Sequence, residues 1–115
     1  MTLSQIAAEL KLRPLTPGLD DSAEASAAHA SDLLSDVLAN APAGGVLLTL
    51  QVHLNVIAVA VHAGLAAVVF TSGRVPDEPI VAKAEEESIV LYVTDQPTFD
   101  VAGRLYELGL RGGGA

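Results

Sequence analysis

The sequence predicts an α/β domain, three-layered, with a small, mostly parallel sheet and helices on both faces. Two observations carry this. The runs Val46–Leu50, Ala66–Phe70 and Ile89–Val93 are short and β-branched or apolar throughout, as expected of strands covered on both faces. Each run is followed by about ten residues of helical pattern, the alternation that gives a parallel sheet.

The elements follow in order. Leu3, Ile6 and Leu10 recur at helical spacing behind a Thr2 or Ser4 cap, and Pro14 bounds that helix. Pro14 and Pro17 flank Leu15 and Thr16, and with Gly18 they read as an extended connection before a turn at Asp20–Ser22. Glu24–Ala30 is a candidate first strand, weakly patterned because alanine is a poor strand former.

Ser31–Leu38 reads as a helix, with Ser31 as cap, Asp32 in the first turn, and Leu33, Leu34, Val37 and Leu38 on one face. Pro42, Gly44 and Gly45 punctuate before the first apolar run. The helices after the three runs are Asn55–Ala63, closed by Gly64, then Asp77–Glu87, then Thr98–Leu108, closed by Gly109. Residues 1–110 are expected to form one domain, and 111–115, with three consecutive glycines, a flexible tail.

At 115 residues the chain is the size of one domain with one core. Aromatic residues are only 3% of it, which leaves little ring surface for stacking nucleic-acid bases. Fourteen acidic against six basic residues give a net charge of −8, which opposes attraction to nucleic acid or an anionic membrane. There is no cysteine, so no disulfide, thiolate nucleophile or thiolate metal ligand exists. Mean hydropathy is +0.44, yet the apolar stretch Val56–Phe70 contains His62 and Gly64 and is too short to span a bilayer. The N-terminal segment lacks the unbroken apolar stretch of a secretory signal, so the expected location is the cytoplasm.

A parallel sheet brings its strand ends to one edge, and the loops there are the natural ligand-binding place. They contain Gln51, His53 and Asn55; Ser72, Gly73 and Arg74; and Thr94 and Asp95. Gln51, His53 and Asn55 alternate as a strand gives way to a helix. Either they face an anion at the helix start, or Asn55 caps its helix while Gln51 and His53 satisfy loop backbone groups. Thr71–Arg74 likewise has two readings: a phosphate held by backbone N–H groups and one guanidinium, or a turn whose Arg74 pairs with Asp77 or Glu78.

The three histidines, His29, His53 and His62, lack the spacing of a metal pair, so no metal and no cofactor are expected. The sequence has no G-x-S-x-G elbow, no phosphate-loop motif and no dinucleotide fingerprint, and no catalytic residue is assigned.

Four ordered blocks resemble the DRTGG family of regulatory domains: Ala30–Leu38, Gln51–Ala60, Gly73–Glu78 and Thr98–Leu105. The family's naming segment falls at Asp21–His29, where Ala27 and Ala28 replace the usual Gly-Gly pair; Ser26, Ala27, Ala28, Ser31 and Asp32 are its counterpart here. Val52, Leu54 and Ser72 depart from the usual Thr, Pro and Gly, leaving Gln51, His53, Asn55, Gly73 and Arg74 as the matching polar set.

Such domains occur alone and as accessory parts of CBS-containing pyrophosphatases, phosphotransacetylases and relatives of the HPr kinase N-terminal domain. The resemblance implies a non-catalytic regulatory module acting as a homodimer or larger homo-oligomer. One alternative is a nucleotide or phosphorylated-metabolite sensor; another is a protein-interaction module. A small enzyme with His53 as base ranks last, since no nucleophile stands at a recognisable spacing. If the naming segment closes over a ligand, Ala27 and Ala28 would weaken binding, because they lack the backbone freedom of glycine.

Overall fold

The structure, a computed structural model, describes residues 1–25 and 27–113. Among the described residues five helices enclose a five-stranded sheet. The elements are α1 (Leu3–Leu10), β1 (Arg13–Pro14), β2 (Ala28–Ala30), α2 (Leu34–Asn40), β3 (Val46–Thr49), α3 (Asn55–Ala63), β4 (Ala67–Phe70), α4 (Glu78–Glu86), β5 (Val90–Val93) and α5 (Thr98–Glu107).

The strand order is β1-β5-β4-β3-β2; β2 to β5 run parallel, and β1 pairs antiparallel with β5. Strands that follow one another in space as in sequence, joined by crossovers of one hand, must carry their helices on one face. That face holds α2, α3 and α4: Val37, Ile57, Ala60, Ile80 and Ala84 pack on Leu47, Val68, Phe70, Leu91 and Val93. The other holds α1 and α5, where Leu3, Ile6, Leu10, Val101 and Leu105 pack on Val46, Leu48, Val69, Val90 and Tyr92. Alternate strand residues thus serve alternate layers, and both faces are buried, which is why the strand sequences are apolar but for Thr49, whose hydroxyl bonds to Asp32, and the hydroxyl of Tyr92.

The three-layer α/β expectation holds, with corrections in detail. The segment after α1 is more than a connection: Arg13 and Pro14 pair with Val93 and Tyr92, and Leu15 N–H donates to Leu91 O at 2.9 Å. A two-residue edge strand containing proline gives no periodic signal, and proline is confined to such edges. The candidate first strand shortens to Ala28–Ala30.

Helix α2 begins at Leu34, not Ser31. Ser31 N–H continues the β2–β3 pairing onto Leu48 O at 3.1 Å, and the Asp32 carboxylate accepts from Thr49 Oγ1 at 3.0 Å and Leu50 N–H at 2.7 Å, which holds the chain at the sheet edge. Its face is accordingly narrower than the sequence suggests: Val37 is buried while Leu33 and Leu38 are exposed. Thr2 caps α1 in a reciprocal capping box with Gln5. Arg111, beyond α5, accepts at its carbonyl from Ala28 N–H at 2.9 Å and stacks its guanidinium on the Tyr106 ring.

Candidate functional site at the carboxyl edge

The chain leaves β4 toward the α4 face and leaves β5 toward the α5 face, so the loops after these adjacent strands diverge. In an open α/β sheet such a divergence opens a crevice at the carboxyl ends. Here the protein closes it with its own backbone. Ser72 N–H donates to Gln96 O at 2.8 Å and Gly73 N–H to Thr94 O at 2.9 Å, and the hydroxyls of Thr71 and Thr98 are hydrogen-bonded.

Thr71–Arg74 is a turn closed by Arg74 N–H to Thr71 O at 3.1 Å, with Ser72 and Gly73 both at positive φ, 56° and 72°. At φ 72° glycine is the residue least strained at position 73, and a Cβ there would lie 3.2 Å from Asp95 Oδ1, close enough that the Asp95 side chain would have to shift. The N–H groups that a phosphate would need from Ser72 and Gly73 are thereby spent on the neighbouring loop. Arg74 pairs with neither Asp77 nor Glu78.

The loop after β3 is also self-satisfied. Gln51 Oε1 accepts from His53 N–H at 3.2 Å, and His53 Nδ1 accepts from Asn55 N–H at 3.1 Å, so the imidazole takes the first amide of α3. Asn55 does not cap; it is the first helical residue. Thr49 Oγ1 accepts from Gln51 N–H and donates to Asp32, joining the loops after β2 and β3. The loop-satisfying reading of Gln51 and His53 describes these contacts.

Open space lies one strand further, beyond β5. Antiparallel pairing sets Arg13 opposite Val93, so the start of β1 reaches the edge where the parallel strands end. The result is a cleft of about 360 Å³ lined by Lys11, Arg13, Val75, Val93, Thr94, Asp95 and Gln96, within the size range of small-molecule sites. Its frame is fixed: Gln96 Nε2 donates to Leu10 O at 2.9 Å and to Thr94 Oγ1 at 3.1 Å, tying the end of α1 to the end of β5.

The cation distribution distinguishes this edge. Of six lysines and arginines, Lys83 is paired with Glu86 and Glu87, Arg104 donates to Glu9 O, and Arg111 donates to Tyr106 O and Leu110 O. Among the described residues the other three, Lys11, Arg13 and Arg74, form no ion pair. Two of them line the cleft, and Arg74 adjoins its Val75. Sequence reasoning missed Lys11 and Arg13, because only the pairing of β1 brings them to this edge.

The family-segment residues lie at the opposite edge of the sheet. Ala27 is buried, its carbonyl accepts from Val46 N–H at 3.0 Å, and it bridges Arg111; Ala28 is in β2. Ser26 lies outside the described residues. Beside this edge is a cavity of about 140 Å³ lined by His29, Leu48, Leu105 and Arg111 among others, small for a nucleotide. His29 Nε2 meets Asp36 Oδ2 at 2.8 Å, and Asn40 Nδ2 donates to Asp36 Oδ1 at 2.8 Å. The Asn40 hydrogen bond first, then those of His29 and Ser31, lower the Asp36 carboxyl to about 2. Among the described residues no cluster of His, Asp and Glu could hold a metal ion, and no helix is long and apolar enough to cross a membrane.

A sheet of four parallel strands with one antiparallel edge, three helices on one face and two on the other, defines a small α/β domain, and the fold is DRTGG-like. The solved structures to which it is similar include the crystal structure of the CBS and DRTGG domains of the regulatory region of Clostridium perfringens pyrophosphatase, complexed with its activator, diadenosine tetraphosphate. The TM-score is 0.70 at 14% identity, and the match covers 96% of this chain and 48% of that one, so this chain spans about half its length. No protein-family model matches the sequence, and no curated protein matches it.

Proposed function

We propose that this protein is a non-catalytic regulatory module, working as a homo-oligomer, that senses a nucleotide or another phosphorylated metabolite at the carboxyl edge of its sheet. The observation that carries this reading is that Lys11 and Arg13, both without ion pairs among the described residues, line one cleft of a chain whose net charge is −8, with the likewise unpaired Arg74 next in sequence to the lining Val75. Unneutralised cations on a framed concave surface favour a polyanion.

Lys11, Arg13 and Arg74 would meet phosphate oxygens. Thr94, Asp95 and Gln96 offer polar groups to the rest of the ligand. Ser72 and Gly73 hold Gln96 and Thr94 in place, while Gln51, His53 and Asn55 keep the β3 loop folded beside the β4 loop. The similarity to a regulatory region crystallised with diadenosine tetraphosphate supports the ligand class.

The non-catalytic reading is supported by His53, whose Nδ1 is occupied by its own helix start, and by His29, whose Nε2 is held by Asp36. Neither imidazole stands beside a hydroxyl nucleophile in the hydrogen bonds of the described residues. The test is a thermal-shift titration with diadenosine tetraphosphate, ATP, AMP and inorganic phosphate. A ligand at a hundred times its Kd stabilises by about 2.7 kcal/mol. A shift with polyphosphate ligands that is lost in Arg13→Ala and Lys11→Ala is expected; no shift with any of them refutes the sensing role.

A further inference from the structure

We propose that the ligand of the β1–β5 cleft carries neighbouring hydroxyl groups beside its phosphates, as a ribonucleotide does, and that Asp95 is the residue that selects it. The proposal rests on the sensing reading above and names the ligand class. Among the residues lining the cleft, Asp95 is the acidic one, and it shares the space with the cations Lys11 and Arg13. Its backbone is pinned on both sides: the carbonyl of Thr94 accepts from Gly73 N–H at 2.9 Å, and that of Gln96 accepts from Ser72 N–H at 2.8 Å. Ser72 and Gly73 present these amides from positive φ, which for a serine is a strained conformation that only a firmly held loop keeps. The Asp95 carboxylate at the centre of this frame forms no hydrogen bond and no ion pair among the described residues.

The cleft asks two different things of a ligand. Lys11 and Arg13 favour phosphate oxygens. Lys11 ends α1 at φ 56°, the left-handed position that glycine fills with least strain, so the ammonium stands at this edge at some conformational cost. The remaining polar groups are acceptors. An ionised carboxylate can only accept, and Gln96 spends its Nε2 on Leu10 O and Thr94 Oγ1, which leaves its Oε1 for a ligand. A bare phosphate satisfies the cations and is repelled by Asp95, whereas a phosphate with hydroxyl donors beside it satisfies both. Two adjacent hydroxyls match the two oxygens of one carboxylate, and acidic side chains hold ribose hydroxyls in this way in dinucleotide-binding folds. The pinned, unpaired carboxylate thus separates a ribonucleotide from inorganic polyphosphate, which the cations alone would not do.

Calorimetric titration of the full chain with ATP, dideoxy-ATP, which lacks both ribose hydroxyls, and inorganic tripolyphosphate tests this, with EDTA present so that no cation bridges phosphate to carboxylate. The parent should bind ATP about tenfold or more tighter than the dideoxy analogue, because the analogue leaves the acceptor unpaired. Asp95→Ala should erase that preference and, by removing a negative charge, tighten tripolyphosphate by about threefold. Asp95 is exposed, and circular dichroism checks that the variant folds. Opposite signs for ATP and tripolyphosphate mark a carboxylate that faces the ligand, since loss of a merely structural one would weaken both. Arg13→Ala should weaken all three ligands. Equal affinity for ATP and dideoxy-ATP, with binding still dependent on Arg13, overturns the proposal and leaves the sensing role standing, as does an Asp95→Ala variant that tightens all three alike. No binding of any of the three overturns both.

Discussion

Replacing Tyr92 by Phe should stabilise the protein at neutral pH and flatten its loss of stability in alkali. Tyr92 is on β5 in the layer beneath α1 and is 2% exposed, and its hydroxyl has no hydrogen-bond partner. Burial first, and the nearby Asp21 carboxylate second, push its pKa up to about 12 from the ordinary 10.0. A buried hydroxyl without a partner costs about 1–3 kcal/mol, and phenylalanine keeps the ring contacts while removing that cost. The expected gain is about 1 kcal/mol at pH 7, with the Asp21 contact offsetting part of the penalty.

The alkaline effect has a definite sign. The unfolded chain releases the phenolic proton at its ordinary pKa and the folded chain only at the raised one. Stability is therefore whole below pH 10 and falls as pH rises toward 12. With ~1.4 kcal/mol per unit of difference, the parent loses about 2–3 kcal/mol across that window through this group, and the variant does not. Urea unfolding of both proteins at pH 7 and near pH 11 reads both effects as shifts in midpoint at constant slope. A destabilisation of more than about 1 kcal/mol at pH 7 would mean the hydroxyl is bonded in solution and would refute the reasoning.

Other predictions concern the loops and α5. Asp36 should titrate near pH 2 when its carboxyl carbon is followed by NMR, and Asn40→Ala should raise that midpoint; the stability it contributes is whole above 3.8 and lost as pH falls through about 2. An ordinary midpoint in the parent would remove the Asn40 and His29 contacts from the account. Asp32→Ala strands the Thr49 hydroxyl and the Leu50 amide together and should cost about 1–3 kcal/mol in denaturant unfolding. Gly103→Ala should raise stability by about 0.5–1 kcal/mol in denaturant unfolding, because an added Cβ meets nothing within 4 Å; a loss of stability would contradict the open surface at that position.

The sheet was legible in the sequence because burial on both faces leaves β3, β4 and β5 almost wholly apolar, Thr49 and the Tyr92 hydroxyl apart, so three separate runs stand out. Helix α3 was legible to its last residue, since Gly64 at φ 68° ends it where the sequence places a C-terminal cap. What escaped depended on distant partners. Ser31 and Asp32 have the composition of a helix start, but Thr49 and Leu50 claim the carboxylate. Arg13 and Pro14 carry no periodicity at all, and only their pairing with β5 makes them a strand.

The same reason hid half of the candidate site. Thr94, Asp95 and Arg74 were visible as polar residues after strands, whereas Lys11 and Arg13 come from an antiparallel edge eighty residues away in sequence, roughly the span between β1 and β5. Ser72 and Gly73, which look like a phosphate cradle in isolation, have spent their amides on Thr94 and Gln96.

The most direct measurement of the central claim is calorimetric titration of the full chain with diadenosine tetraphosphate, alongside Arg13→Ala. The expected result is saturable binding that weakens with salt and falls by about tenfold or more in the variant, since one charge-assisted contact is worth about 1.5–3 kcal/mol. Binding that is unchanged in Arg13→Ala would move the site away from the β1–β5 cleft, and no binding at all would contradict the sensing role.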